Sequence, residues 1–482
     1  MNEPRTETDI VVIGSGASGL AAAVTAAEEG VRVTLFEKQA SLGGTSNFFN
    51  GMFAVESAMQ AEQYITYSRD QAFRNIMEYS HWRTNGALVR VFVDKSADTI
   101  RWLQDYGVGF PQVTINMPDA PRTYHIIKGG GEAVVKALAS RAKEKGVSIR
   151  LGTPIKRILK DSTRIVGVVA EVDGEDIQVA CQAVIIASGG YANNKEWIKK
   201  YTGLDLGDTV FSVGNVDKMG DGIRMAWEMG AGAEGMGVLQ ILRAGPFGPE
   251  FPFMNVVEAA AIQPILWVNH LGERFCDEGI AYYDTSAGNA NARYKKGYTF
   301  CVFDDSIKKR FMEKGISHSV AQVYLPGYRL ASLDEELQRQ LAQNTAELFV
   351  ADSIDVLAEK TGVNPSVLKA TVAQYNGFCE KGHDDLFAKD PQYLIPLKGP
   401  RFYAVKARTV FIGTLGGIRI NRKTEAVDQY DVAIPGLYAV GNDAGGVHAG
   451  SYCMRDSSGA SSAFAVNSGR MAGENAARYL KG

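Results

Sequence analysis

The chain is poor in cysteine and lacks long apolar runs, and each shortage excludes a class of protein. Its 482 residues contain only five cysteines, and no two of them form a C-x-x-C pair. Iron–sulfur spacing and covalent haem attachment are therefore excluded. No apolar run reaches the roughly 18 residues that a membrane-spanning helix requires. Any electron transfer must come from a bound organic cofactor.

Charge is also nearly balanced, with a formal net charge of −3. This balance gives no reason to expect a nucleic acid or an anionic membrane as partner. The N-terminal residues are polar and lack the apolar core of a secretory signal, so we expect a cytoplasmic protein with free thiols. Hydrophobic content of 45% and charged content of 22% describe an ordinary globular protein, long enough for two domains.

The most informative stretch of the chain is 8–46, which reads as strand, helix and strand. Asp9–Ile13 is an apolar run typical of a buried parallel strand. A helix is predicted at Leu20–Glu29, and a second strand at Val31–Phe36 ends at Glu37. This order is the opening unit of a Rossmann-like fold.

The turn of this unit carries Gly14-x-Gly16-x-x-Gly19, a dinucleotide-binding pattern. Gly14 allows a tight turn, Gly16 lets a pyrophosphate approach the backbone, and Gly19 lets helix and strand pack closely. The N-terminus of the helix offers free N–H groups to phosphate. Glu37, at the end of the second strand, can accept hydrogen bonds from ribose hydroxyls.

The rest of the chain predicts an α/β fold with a doubly wound, mainly parallel, Rossmann-like sheet and an inserted α+β cap domain. Residues 1–238 and 409–482 form the predicted dinucleotide-binding domain, and residues 239–408 the substrate-capping domain. A hairpin is predicted at Leu266–Phe275. In the final helix, about Ser461–Leu480, small residues are expected to face the cofactor.

Several motifs occur in the order of one family, which the chain resembles over nearly its whole length. They are Gly14-to-Gly19 with Glu37, Gly43-Gly44-Thr45-Ser46, Gly129-Gly130-Gly131, Ala187-Ser188-Gly189-Gly190-Tyr191, Gly220-Asp221-Gly222, Gly272-Glu273-Arg274-Phe275, Gly436-Leu437-Tyr438 and Gly469-Arg470. The family contains soluble fumarate reductases, succinate dehydrogenase flavoprotein subunits, urocanate reductases and 3-ketosteroid 1-dehydrogenases.

This resemblance implies non-covalent FAD and a cap that closes over the substrate. With no second G-x-G-x-x-G unit, a dedicated NAD domain is not expected, and electrons should come from reduced flavin, a flavin reductase or a redox protein. The expected FAD-binding residues are Gly14, Gly16, Ala17, Ser18, Gly19, Glu37, Lys38, Gly43, Gly44, Thr45, Ser46, Asn50, Gly51, Met52, Ile155, Ala187, Ser188, Gly189, Asp221, Gly413, Asn442, Asp443, Ser461 and Ser462.

The substrate end departs from the fumarate reductase pattern. Where that pattern has its proton-donating arginine, after Arg274-Phe275, this chain has the pair Tyr282-Tyr283. The family's two adjacent histidines are replaced by Ile412-Gly413, and its His-Pro-Thr site reads Leu242-Arg243-Ala244. A pocket for a four-carbon dicarboxylate is therefore not expected.

Tyrosines at these places resemble the 3-ketosteroid dehydrogenase branch, in which they exchange a proton and polarise a ketone. The candidate catalytic residues are Tyr283, Tyr282, Tyr452, Arg243, His448 and Arg455. Purely structural roles stay open as alternatives to catalytic ones. The tyrosine pair would then only pack, Arg243 would be a domain-interface charge, and His448 would be a core histidine. Arg455 aligns poorly with the family's carboxylate-binding arginine, because this chain carries extra residues after His448.

These observations predict an FAD-dependent oxidoreductase that acts on CH–CH groups. It would reduce an enone, aryl-conjugated or enoate double bond by hydride transfer from the flavin, with a tyrosine supplying the proton. Two alternatives remain: a 3-ketosteroid 1-dehydrogenase-like enzyme working oxidatively, and an electron-transfer flavoprotein subunit without a small-molecule substrate.

Overall fold

The computed structural model describes residues 6–115, 120–214, 216–246, 255–281, 285–318, 323–343 and 345–482. The chain forms two compact units. The first takes the described residues of 1–203, 214–240 and 412–482, and the second those of 204–213 and 241–411. The second unit is thus inserted, in chain order, within the first.

The strands in chain order are β1 (Thr6–Glu7), β2 (Ile10–Ile13), β3 (Val33–Phe36), β4 (Gly51–Phe53), β5 (Gln112–Thr114), β6 (Tyr124–Ile126), β7 (Ser148–Arg150), β8 (Ile155–Lys160), β9 (Ile165–Val172), β10 (Glu175–Ala180), β11 (Ala183–Ile186), β12 (Phe211–Ser212), β13 (Ala233–Glu234), β14 (Leu239–Ala244), β15 (Leu266–Val268), β16 (Tyr298–Asp304), β17 (Leu348–Ala351), β18 (Phe402–Thr414), β19 (Gly417–Ile418), β20 (Glu425–Val427) and β21 (Ala433–Ala439).

The helices are α1 (Ala17–Glu28), α2 (Ala58–Glu62), α3 (Arg69–Tyr79), α4 (Gly86–Asp105), α5 (Gly130–Glu144), α6 (Lys195–Thr202), α7 (Asp221–Glu228), α8 (Val256–Ala261), α9 (Thr285–Ala292), α10 (Asp305–Glu313), α11 (Leu333–Ala342), α12 (Ile354–Thr361), α13 (Pro365–Lys381) and α14 (Ala460–Lys481). Short 3₁₀ helices lie at Gly44–Phe48, Glu278–Ile280, Pro391–Tyr393 and Gly441–Asp443. Among the helices that the structure describes, none has both the length and the apolar character needed to cross a membrane.

The first unit is built on a six-stranded sheet in the order β20-β21-β11-β2-β3-β7. The neighbours from β21 to β7 run parallel, and only the edge strand β20 is antiparallel. Strands β2, β3 and β11 are buried along their whole length. Continuous apolar runs are what a parallel sheet covered on both faces requires. The predicted α/β fold is confirmed.

Helix α1 begins at Ala17, three residues before the predicted start, and packs against α14. A Cβ at Gly469 would lie 2.2 Å from the carbonyl oxygen of Ser18, and one at Gly473 would lie 2.6 Å from that of Ala22. These small residues of the final helix therefore face α1, and the expectation that they face the cofactor is wrong for them. Close backbone contact between the two helices is the physical reason.

The second unit has a sheet in which β18 pairs with β16, β17 and β12, and β16 pairs with β15. The hairpin predicted at Leu266–Phe275 is wrong, because β15 pairs with β16. The turn itself does form: the side chain of Asn269 accepts hydrogen bonds from the N–H groups of Leu271 and Glu273. After the turn, ion pairs of Arg274 hold the chain instead of a strand partner.

Arg274 is the centre of a buried network of four charges in the second unit. Its guanidinium donates to Glu278 (2.7 and 2.9 Å) and to Asp384 (2.8 and 3.0 Å). Lys389 lies 3.3 Å from Glu278, and all four side chains have at most 1% exposure. Two cations and two carboxylates therefore neutralise one another away from water, which is the condition for burying charge.

We expect Arg274→Met to destabilise the protein strongly, because it leaves Glu278 and Asp384 buried without their shared cation. The expected loss in free energy of unfolding is about 3–5 kcal/mol. Arg339→Met, in the same unit, breaks an exposed pair with Glu336 and should cost less than about 1 kcal/mol. Denaturant unfolding of both variants measures the difference, and similar losses would contradict the network's structural role.

Candidate functional site

The carboxyl ends of four adjacent parallel strands, β21, β11, β2 and β3, meet at one edge of the main sheet. The segments that follow them begin at Val440, Ala187, Gly14 and Glu37. Ligands of open α/β sheets bind at this edge. Most of the residues predicted to bind FAD lie on these segments or on the elements that contact them.

The turn after β2 needs glycine because backbone crowds it from two sides. Gly14 has φ +105°, and a Cβ there would lie 2.3 Å from the carbonyl oxygen of Ala187. A Cβ at Gly19 would lie 2.0 Å from the carbonyl oxygen of Gly14. The turn, the first turn of α1 and the end of β11 are therefore locked together, as expected for Gly14 and Gly19.

The N-terminus of α1 begins after Gly16, which provides no side-chain cap. The N–H of Ala17 donates to the Oγ of Ser46 at 2.9 Å. Ser46 belongs to the 3₁₀ helix Gly44–Phe48, which also holds Thr45 and follows Gly43. The structure thus brings the Gly14 turn and the Gly43–Ser46 motif together.

Glu37 stabilises the same turn by accepting hydrogen bonds. One carboxylate oxygen accepts hydrogen bonds from the N–H (2.9 Å) and the hydroxyl (2.6 Å) of Ser15, and the other accepts the N–H of Gln39 at 2.8 Å. A carboxylate oxygen can accept more than one hydrogen bond, so the second oxygen keeps capacity for a ribose hydroxyl. Next to it, Lys38 pairs with Asp221 at 2.9 Å. Lys38 also pairs with Asp217 at 2.9 Å, so its charge is shared between two carboxylates.

Asp443 joins the ends of β11 and β21. Its buried carboxylate accepts hydrogen bonds from the Ser188 hydroxyl (2.9 Å) and from the N–H groups of Gly189 (2.8 Å) and Gly190 (3.0 Å). Burial raises the pKa of Asp443, and these hydrogen bonds oppose that rise. Its neighbour Asn442 lies against Gly413, where a Cβ would be 2.7 Å from Nδ2.

The start of α14 is held by residues from two other predicted segments. The N–H of Ser461 donates to the hydroxyl of Tyr452 at 3.3 Å. The hydroxyl of Ser462 donates to the carbonyl oxygen of Gly51 at 2.6 Å. Tyr452 is therefore placed at the positive end of a helix, beside the strand that carries Gly51.

His448 and Tyr452 are buried neighbours, with ring centroids 5.1 Å apart. Burial lowers the pKa of His448 to about 4, so its imidazole is neutral at neutral pH. Its Nε2 has no hydrogen-bond partner among the described residues. Burial raises the pKa of Tyr452, which keeps the phenol protonated. This pair can offer polar atoms to a ligand without a formal charge.

The remaining predicted residues are dispersed. Ser18 lies against Gly441, where a Cβ would be 2.8 Å from its Oγ. Gly51 and Met52 form part of β4, Asn50 precedes that strand, and Ile155 begins β8. Arg455 is exposed, whereas Arg243 is buried in the second unit. Tyr282 and Tyr283 lie outside the described residues.

Two buried residues of the first unit, described next, were not predicted from the sequence as site residues. Lys218 is 3% exposed, and burial lowers its pKa to about 8. Its Nζ contacts the carbonyl oxygen of Ile412 at 3.4 Å, and its side chain runs beside Gly189. Tyr124 packs on Gly51, where a Cβ would be 2.5 Å from Cζ. Neither follows a glycine motif, so no local sequence signal points to them.

The helix termini test whether the first unit fits a dinucleotide. Helices α1, α5, α7 and α14 each begin at a glycine without a side-chain cap. In the same unit, α2, α3, α4 and α6 are each capped by a serine or asparagine side chain. Other elements accept some first-turn N–H groups, such as those of Ala17 and Ser461, and the remaining ones can donate to phosphate or carbonyl oxygens. Together with the crowded Gly14 turn, these donors fit FAD.

We expect Gly14→Ala to lose bound FAD, because the added methyl group meets the Ala187 carbonyl. Gly30→Ala is the matched control, since Gly30 also has a positive φ (+84°) but has nothing within 4 Å of its Cβ position. The expected weakening of FAD affinity for G14A is roughly ten-fold or more. Flavin absorbance per mole of purified protein measures it, and equal FAD content in both variants would contradict it.

The chain matches one known protein family and several individual relatives. Residues 9–452 match the family model of the FAD binding domain. Over 480 residues the chain is 34% identical to vinyl phenol reductase of Lactiplantibacillus plantarum, covering 98% of this chain and 96% of that one. It is 29% identical to fumarate reductase (cytochrome) of Shewanella frigidimarina, covering 99% of this chain and 78% of that one.

A solved structure shows the same fold. The 3-ketosteroid Δ1-dehydrogenase of Sterolibacterium denitrificans superimposes with a TM-score of 0.81 at 18% identity, covering 98% of this chain and 100% of that one. At this identity the likeness concerns the fold alone.

Proposed function

Because the chain belongs to the FAD binding domain family and is an FAD-dependent oxidoreductase acting on CH–CH groups, we propose that it reduces a carbon–carbon double bond conjugated to an aryl or carbonyl group. The relative that is 34% identical to this chain is named vinyl phenol reductase, and this name supports an aryl-conjugated alkene as the substrate. We assign FAD binding to residues 1–238 and 409–482, and substrate capping to residues 239–408.

Tyr452 carries the proposal. Its oxygen accepts the Ser461 N–H, and among the described residues no acceptor takes its own proton. The O–H is therefore available to a ligand. Burial raises its pKa, so Tyr452 is protonated at neutral pH and its O–H can act as the proton donor. An oxidative enzyme of the 3-ketosteroid type would need the phenolate as base.

FAD, when bound and reduced, would supply a hydride for the β-carbon of the alkene. Tyr452 then passes the proton on its Oη to the other carbon, and the phenolate that remains keeps the hydrogen bond from Ser461. The positive N-terminus of the 22-residue helix α14 also stabilises this negative charge, by about 0.3–2 kcal/mol. Tyr282 and Tyr283 stay as alternative donors, and Arg455 as a weaker candidate.

Fumarate is a poor fit because the family's paired histidines are replaced by Ile412 and Gly413. A Cβ at Gly413 would lie 2.7 Å from Nδ2 of Asn442, so a side chain there would require Asn442 to move. His448 is neutral and contributes no positive charge for a second carboxylate. We propose that a reduced flavin, a flavin reductase or a redox protein supplies the electrons, and that FAD is bound non-covalently.

We expect the anaerobically reduced protein to be reoxidised by 4-vinylphenol faster than by fumarate, by roughly ten-fold or more, because the fumarate-binding groups are missing. Stopped-flow absorbance of the flavin measures both rates. Equal rates would contradict the substrate class. Reoxidation by no alkene would favour an electron-transfer subunit.

We expect Tyr452→Phe to slow reoxidation by 4-vinylphenol roughly 100-fold, because the variant loses its proton donor. Tyr438→Phe is the control: this tyrosine is also buried in the first unit, and its hydroxyl donates to the Asn475 carbonyl instead. In the wild type, a donor with a raised pKa stays protonated, so the rate should hold between pH 7 and about 9. An unchanged rate in Y452F would remove Tyr452 from the mechanism.

A further inference from the structure

Arg243 is a buried cation of the second unit whose hydrogen bonding is incomplete. It lies on β14 and is 2% exposed. Its Nε donates to the hydroxyl oxygen of Thr299 at 3.1 Å, and its Nη1 donates to the carbonyl oxygen of Ala261 at 3.0 Å. Its Nη2 has no partner among the described residues. Two N–H bonds of a guanidinium are thus left in the interior without an acceptor.

Arg243 also lacks a counter-charge. Within the described part of the chain, no carboxylate oxygen lies within 4.0 Å of its guanidinium nitrogens, in contrast to Arg274. Glu278 acts on Arg243 only through space, and its carboxylate already binds Arg274 and Lys389. Burial lowers the pKa of Arg243 to about 10, which leaves it charged at neutral pH. A buried charge without a partner is costly.

The two thiols whose charges would act on Arg243 do not supply the missing negative charge. Burial raises the pKa values of Cys276 and Cys301 to about 12, so both thiols are neutral at neutral pH. The positive charge is therefore uncompensated within the described residues around it. Since buried cations are normally paired, we expect the Nη2 end to meet an anionic group that the described residues do not supply.

The guanidinium is held rigidly. Its Cζ lies 3.9 Å from the ring centroid of Trp267. The hydroxyl of Thr299 donates in turn to Asn291 at 2.5 Å, and Asn291 donates to Thr409 at 2.7 Å. This chain of polar contacts fixes the Nε edge and leaves the Nη2 end for another group. A guanidinium oriented in this way binds a carboxylate with little loss of entropy.

We propose that Arg243 binds the carboxylate of an aromatic monoacid within the second unit. A guanidinium whose Nη2 end has no partner among the described residues matches one carboxylate group. The aromatic face of Trp267 beside the guanidinium favours a planar, apolar body on the ligand. The carboxylate site rests on Arg243 and the aromatic body on Trp267, so the ligand class goes beyond the proposed function.

Binding tests the site without turnover. Isothermal titration calorimetry of the oxidised FAD holoenzyme uses 3-phenylpropanoate and its neutral analogue 3-phenylpropanamide, neither of which has an alkene to reduce. We expect the wild type to bind the acid roughly 30-fold tighter than the amide, because it gains charge-assisted hydrogen bonds. Arg243→Met should abolish this preference. The control Arg408→Met, whose arginine already pairs with Glu347, should keep it.

Equal affinity of the wild type for acid and amide would overturn the proposal, as would a preference that survives in R243M. If R243M does not fold, Arg243→Lys replaces it. Lysine keeps the positive charge but lacks the planar set of N–H donors of a guanidinium. A preference for the acid over the amide that is unchanged from the wild type would overturn the proposal. Failure of the proposed function would give a different result, in which 3-phenylpropanoate still binds but no alkene reoxidises the reduced flavin.

Discussion

The structure of the first unit depends on the absence of side chains where backbones touch. The Gly14 turn lies against the carbonyl of Ala187, Gly19 against that of Gly14, and Gly469 against that of Ser18. These contacts fix β11, β2, α1 and α14 as one body. Glu37 and Asp443 bind Ser15 and Ser188, which lie beside Gly14 and Ala187 in these close contacts.

Much of this unit could be predicted from sequence, because its signals are local. A buried parallel strand is a continuous apolar run, and a glycine turn before a helix has a fixed spacing, so β2, α1 and β3 were located to within three residues. Asp443 was predicted as a cofactor residue through family resemblance. Its actual hydrogen bonds, to residues some 250 positions earlier, depend on strand order, which spacing along the chain does not encode.

The substrate end was harder to predict for physical reasons. The state of Tyr452 depends on the helix terminus that donates to its oxygen and on burial, and neither is visible in a short motif. Arg243 could equally have been a surface charge, since only the folded sheet shows that it is buried without a carboxylate. The hairpin predicted at Leu266–Phe275 failed because β15 pairs with the distant strand β16, and this pairing is not encoded by a local turn signal.

The buried ion network around Arg274 also has a kinetic consequence. Arg274 and Asp384 are 110 residues apart in sequence, so the chain must close a long loop before their charges meet. Desolvating either partner alone is unfavourable, which makes these contacts late events in folding. Interactions that form after the folding transition state slow unfolding and leave the folding rate nearly unchanged. The buried charges thus act mainly on how long the second unit persists once it is folded.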